Sequence, residues 1–191
     1  PSGSGKDTVM TELFKKMPEL LFSISSITRA MRAGEREGEK YNFITRERFE
    51  DMLKNDRLLE HNEFVGNYYG TPREPVERAV ANGQDMVIEV DVNGAAQIRE
   101  KMPEAVSIFI MPPSFAELKR RLSGRGTESE ELIQKRLTSA LGEIKRAAEY
   151  DYIVVNEDIA AAADDIMSVI LSSRLKTDRQ TKIIDEVLSE C

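Results

Sequence analysis

The chain has 191 residues, enough for one domain with a real core and no need of disulfides or structural metal. Hydrophobic residues make up 40% and charged residues 32%, with eleven glycines and seven prolines, which excludes collagen-like, low-complexity and fully disordered classes. The net charge of −7 argues against a general nucleic-acid-binding surface, so local arginine clusters stand out against an acidic background. No apolar run reaches the roughly 18 residues of a membrane span; the stretch around Ile108–Met111 is broken by Pro112 and Pro113. No charged-then-apolar leader precedes the first motif, and a single cysteine, Cys191, can form no internal disulfide. A reducing, cytoplasmic setting is therefore expected, with no nucleic-acid or membrane partner.

Periodicity reads as one α/β unit without internal repeats or linker tracts. A helix is expected over 6–17, with Val9, Leu13 and Met17 on one face, then a strand over 21–25. A charged, turn-rich stretch from Gly34 to Gly38 leads to strand material at 41–44 and a helix at 46–55. Residues 58–64 and 68–71 are placed to pair as a hairpin across Val65-Gly66-Asn67, and Gly83 stops a helix over 74–82. The runs MVIEV at 86–90 and VSIFIM at 106–111 have the character of buried parallel strands. Helices at 95–101 and 115–122 follow them in βα order. Thr127 and Glu130 form a capping box opening a helix to about Tyr150, along which Leu132, Ile133, Leu137, Ala140, Leu141 and Ile144 follow helical spacing. A strand at 152–155 and helices at 160–175 and 179–190 close the chain. The last helix carries a modest apolar face of Ile183, Ile184, Val187 and Leu188, suited to its own subunit or to a second copy. The fold class is α/β.

Pro1-Ser2-Gly3-Ser4-Gly5-Lys6 matches the latter part of the phosphate-loop pattern G-x-x-x-x-G-K-[ST]. The first glycine of that pattern falls one residue before Pro1, and a strand leading into the loop is expected upstream. The small residues let backbone N–H groups converge on a phosphate at a helix N-terminus, and Lys6 adds a mobile positive charge on the β- and γ-phosphates. Asp7 stands where Ser or Thr usually helps hold Mg²⁺, and Thr8 follows. A carboxylate there suits the helix dipole but repels phosphate, so it is expected to turn outward or to meet the metal. The rival reading is a merely flexible Gly/Ser-rich stretch, against which the lysine and the helical pattern weigh.

Further segments form one ordered set. They are Ser23-Ile-Ser25-Ser-Ile-Thr28-Arg29-Ala-Met-Arg32-Ala-Gly34-Glu35, Tyr41-Asn-Phe43, Leu59-Glu60, Gly66-Asn-Tyr-Tyr69-Gly70-Thr71 and Glu89-Val-Asp91-Val-Asn-Gly94. Ile110-Met-Pro112-Pro113-Ser114, Arg125-Gly126-Thr127-Glu128, Lys135-Arg136-Leu137 and Tyr150-Asp-Tyr-Ile-Val-Val-Asn156 continue it. From Pro1 to Asn156 the set resembles the guanylate kinases, whose signature reads S-x-S-x-T-T-R-x-P-R-x-G-E. Departures are Ile27 for Thr, Met31 for Pro, Glu89 for Asp, and Asp7 where the family commonly has Ser or Gly.

The resemblance implies a P-loop three-layer fold with a parallel central sheet, core 1–32, 85–122 and 147–191, a GMP-binding insertion 33–84 and a lid 123–146. It implies an ATP:GMP phosphotransferase with ATP as co-substrate and Mg²⁺. Ser2, Gly3, Ser4, Gly5, Lys6, Asp7 and Thr8 would hold ATP, with Asn156 toward the adenine-ribose side; Thr8 and Asp7 are the candidate metal ligands. Ser25, Arg29, Arg32, Tyr41, Glu60, Tyr69, Gly70, Thr71, Glu89 and Asp91 would bind GMP or dGMP, and Lys6, Arg32, Arg125 and Arg136 would serve the transfer.

The residue chemistry agrees. Planar guanidinium forks and phenols suit a dianionic phosphate. A carboxylate such as Glu60 accepts from both guanine N1–H and N2–H₂ and is left poorly satisfied by adenine, while the Ser25 and Thr71 hydroxyls suit O6 and N7. Arg125 and Arg136, by resemblance lid residues, would bring positive charge onto the migrating phosphoryl group and help exclude water. The blander readings make Arg29 and Arg32 solvated charges, Glu60 an exposed residue and Tyr68–Tyr69 strand aromatics; jointly the pattern favours a nucleotide site. His61 reads as surface and Lys119-Arg120-Arg121 as a solvated helix face, with Arg121 able to approach the lid base. The rival functions are a phosphopeptide-binding scaffold domain and a kinase for another nucleoside monophosphate; Lys6, Arg125 and Arg136 weigh against the first and Glu60 against the second.

Overall fold

In chain order the elements are α1 (Lys6–Lys16), β1 (Leu21–Phe22), β2 (Ser25–Ile27), β3 (Tyr41–Phe43), α2 (Arg46–Lys54), β4 (Leu58–Phe64), β5 (Asn67–Pro72) and α3 (Arg73–Ala81). There follow β6 (Met86–Val87), α4 (Val92–Lys101), β7 (Ile108–Met111), α5 (Phe115–Ser123), α6 (Glu130–Lys145), β8 (Tyr152–Val155), α7 (Ile159–Arg174) and α8 (Thr181–Ser189). The computed structural model describes residues 1–123 and 130–190. The chain divides into two units, residues 1–18 with 106–191 and residues 19–105.

In the first unit β7 and β8 pair in parallel, Ile108 opposite Tyr152 through Met111 opposite Val155. α1 buries Val9, Met10 and Leu13 and packs on α7, which buries Ala162, Ala163 and Ile166. Lys16 crosses that contact to Asp164 at 2.6 Å. α5 and α6 join through Leu118, Leu122, Leu137 and Ala140, with Ile133 and Ile144 against them. That spacing selects one stripe of α6. Leu132 and Leu141, which also fit a helical period, lie outside it at 44% and 43% exposure. α6 gives way after Lys145 to a 3₁₀ turn over Arg146–Glu149, shorter than the helix expected to Tyr150. The tighter winding buries Ala147 and sets the Tyr150 ring edge-on to Phe109, 5.1 Å between centroids. The expected cap Thr127 lies outside the described residues.

The second unit holds two sheets, a parallel pair β1–β6 and a mixed sheet in the order β3-β2-β5-β4. The single strand expected over 21–25 is divided between them. Ser23 N–H still reaches Val87 O at 2.9 Å, then β2 leaves that pair to run between β3 and β5. Pairing of the expected 86–90 strand stops at Val87, and Asp91 caps α4, which starts at Val92, three residues earlier than periodicity indicates. β4 and β5 form the expected antiparallel hairpin. Its two-residue turn, Val65-Gly66, has φ of 50° and 72°, the positive angles of a type I′ turn. Leu59, Val76 and Ile98 are the buried centre that joins β4, α3 and α4, with Met86, Ile88 and Val90 packed on it.

Candidate functional site

A cavity of about 380 Å³ lies in the second unit, walled by Ser25, Arg29, Arg32, Tyr41, Glu60 and Asn62 together with Tyr69, Gly70, Glu89 and Asp91. Strand pairing explains the convergence. Parallel β2 and β3 put Ser25 beside Tyr41, antiparallel β4 and β5 put Glu60 opposite Thr71, and the pleat sends Glu60 and Asn62 to one face.

Glu60 is 6% exposed. Thr71 Oγ1 donates to its Oε1 at 2.6 Å, and burial pushes its carboxyl above the usual range, with the Asp91 charge adding to the rise. Thr71 is itself fully buried and is not among the residues that wall the cavity; its hydroxyl is turned onto the Glu60 carboxylate. Gly70 is needed for close approach, since a Cβ there would lie 2.9 Å from Glu60 O and 3.0 Å from the Phe49 ring. Asp91 accepts from three donors besides lining the cavity. Its Oδ1 accepts from Asn93 and Gly94 N–H at the start of α4, and its Oδ2 accepts from Asn62 Nδ2 at 2.9 Å.

At the other end, Arg29 forks onto Glu35 at 2.7 and 2.6 Å, and Glu35 also accepts from Arg32 N–H. That guanidinium pair holds the Glu35 carboxyl at about 2 and raises Arg29 further above its ordinary value. Arg29 lies over the rings of Tyr41 and Phe43, 5.4 and 5.7 Å from their centroids. Glu35 thus sets the pose of Arg29, a role its place three residues after Arg32 does not reveal.

The first unit carries the phosphate-type loop. Gly3 and Gly5 take φ of 83° and 84°, and Gly5 precedes α1, so the loop backbone turns into a helix N-terminus. Lys6 opens that helix, and Asp7 and Thr8 are exposed in its first turn. Arg136 on α6 reaches Ser2 Oγ at 2.8 Å, which ties the inward stripe of α6 to the loop. Arg125 lies outside the described residues.

Two further residues brace the loop. Asn156 is 2% exposed; its Nδ2 donates to Ser4 O at 2.7 Å and lies 2.4 Å from where a Gly5 Cβ would stand. It supports the loop from beneath. Arg121, read as part of a solvated face, donates to Ser4 O at 3.1 Å and to Asn156 O at 2.9 Å while Glu117 accepts from its Nε at 2.7 Å. A triplet of basic residues on one helix gives no sign that the third turns inward. Among the described residues no group of three or more His, Cys, Asp and Glu side chains could hold a metal ion, and no helix is long and apolar enough to cross a membrane.

Comparison with known proteins places these features in one family. The family model "Guanylate kinase" matches residues 1–173. A guanylate kinase of Desulfitobacterium hafniense (strain Y51) is 44% identical over 187 residues, covering 98% of this chain and 94% of its own. One from Escherichia coli (strain K12) is 46% identical, covering all of this chain and 93% of its own. The crystal structure of guanylate kinase from Anaplasma phagocytophilum aligns with TM-score 0.75 and 40% identity, over 91% of this chain and 84% of that one.

Proposed function

The chain belongs to the guanylate kinase family, and from that premise we propose how its residues carry out phosphoryl transfer from ATP to GMP. The activity is ATP:GMP phosphotransfer, giving ADP and GDP, and the protein is a nucleoside monophosphate kinase. The observation that carries the reading of the pocket is the buried, Thr71-oriented Glu60 carboxylate in one cavity with Arg29, Arg32, Tyr41 and Tyr69. Glu60 accepts from guanine N1–H and N2–H₂, Ser25 meets the base, and the arginines and tyrosines hold the GMP phosphate. Glu89 and Asp91 line the nucleoside side.

The loop Ser2–Gly5 supplies backbone N–H groups to the ATP phosphates, with Lys6 and Arg136 as cations toward the β- and γ-phosphates and Arg125 as a third. Transfer is direct and in line, with no nucleophilic side chain; these cations and Arg32 spread the charge of the migrating phosphoryl group. Mg²⁺ favours one or two protein oxygens and several waters. The exposed carboxylate and hydroxyl of Asp7 and Thr8, adjacent in the first turn of α1, fit that demand as ligands, direct or through water. When bound there, the ion supplies charge neutralisation on the ATP phosphates.

The reading divides the chain into core 1–32, 85–122 and 147–191, GMP-binding segment 33–84 and lid 123–146. It makes the small-molecule substrates GMP, dGMP and ATP the partners, in the cytoplasm, with self-association through the C-terminal helices. The test is ADP release with ATP·Mg²⁺ and GMP, dGMP, AMP, UMP, CMP or TMP offered singly. Turnover with GMP and dGMP alone is expected. Equal turnover with AMP overturns the assignment of Glu60.

A further inference from the structure

Gly94 stands in the first turn of α4, where helix propensity favours alanine over glycine. Its φ is not in the left-handed region, so backbone conformation does not call for glycine either. The space does. A Cβ at this position would lie 2.9 Å from Glu60 Oε2, 3.3 Å from Glu60 Cδ and 3.0 Å from Val90 Cβ. Contacts under 3.0 Å require something to move, and here little is free to do so. Glu60 Oε1 is held by the Thr71 hydroxyl at 2.6 Å.

The helix is equally restrained, because it is laced along β4. Asp91 accepts from Asn62, Gln97 makes a pair of hydrogen bonds with the His61 backbone at 3.1 and 2.9 Å, and Lys101 Nζ donates to Leu58 O at 2.9 Å. Ile98 is buried against Leu59 and Val76 beneath the lacing. A methyl group at residue 94 therefore has one soft outlet, the far end of the Glu60 side chain. That outlet is the group that meets the base.

We propose that Gly94 is a positioning residue for guanine specificity: its missing side chain is the recess that lets the Glu60 carboxylate lie between Thr71 and the first turn of α4, in register with the base edge. The inference rests on the assignment of Glu60 to guanine made above. Backbone this close to a buried carboxylate leaves its outer oxygen a single orientation, and a recognition pair loses most of its strength when that angle is lost.

The test is Gly94→Ala, alone and in a Glu60→Asp background, with Glu60→Gln as reference. KM for GMP and for ATP, kcat, and the thermal midpoint are read for each. Gly94→Ala is expected to raise the GMP KM about tenfold or more while ATP KM, kcat and the thermal midpoint hold. In the shortened Glu60→Asp background, where the carboxylate is withdrawn from the recess, the same change is expected to cost less than about twofold. An unchanged GMP KM in Gly94→Ala overturns the proposal, as does an equal rise in both backgrounds, the mark of a general disturbance through Val90. If Glu60→Gln itself leaves the GMP KM unchanged, the guanine assignment of Glu60 falls instead.

Discussion

At the scale of single residues, burial and charge set opposing demands on Glu60. Its folded-state pKa is raised, so between the unfolded value of about 4.3 and that raised value the folded protein holds the extra proton. Stability then falls as pH rises through the window. On the proposed assignment of Glu60, guanine recognition needs the carboxylate and is expected to strengthen over the same window. Glu60→Gln is therefore expected to leave the thermal midpoint at pH 7 unchanged or higher and to flatten its pH slope. The same change raises the GMP KM by about 10- to 100-fold, the value of hydrogen bonds to a charged group. Calorimetry across pH and steady-state kinetics check both. Val65 poses a simpler problem: a β-branched residue at φ 50° in an exposed turn. Val65→Asn creates an Asn-Gly turn suited to those angles and is expected to stabilise the protein by about 1 kcal/mol. Denaturant midpoints measure it.

At the scale of elements, the loop before α1 owes its shape to a partner far away in sequence. Asn156 at the end of β8 and Arg121 on α5 both donate to Ser4 O. Asn156→Ala removes one donor and opens the space beneath Gly5, which costs about 1–3 kcal/mol and lets the loop shift. The expected outcome is a raised ATP KM with an unchanged GMP KM, read from initial rates with each substrate varied. Periodicity made the elements themselves legible: the β4–β5 hairpin, β8, and the helices after β6 and β7 all stand within a few residues of their expected bounds. Partner choice was less legible. One apolar run, 21–25, serves two sheets, and nothing in its alternation marks Ser23 as the point of exchange.

For the whole molecule, α8 presents Ile183, Ile184, Val187 and Leu188 at 46–66% exposure, with Lys182 paired to Glu186 along its polar side. If self-association uses this face, Val187→Glu lowers the sedimentation coefficient at a given concentration and leaves kcat with GMP unchanged; sedimentation velocity with a parallel assay reads both. The residue types of the two regions proposed for phosphate could be seen in the sequence because phosphate chemistry restricts them: glycines and a lysine in a loop, arginines three apart, tyrosines on β3 and β5. What no one-dimensional pattern carries is which groups face each other. Thr71 facing Glu60 and not the cavity, Asn156 and Arg121 converging on Ser4, Glu35 holding Arg29, and Gly94 leaving room for a carboxylate are long-range or through-space relations. Local propensity and spacing set the elements and the chemical vocabulary, since both act over a few residues. Only tertiary packing, which brings β4 onto α4 and the end of β8 beneath the loop, decided which side chains line the cavity and the loop and which hold those in place.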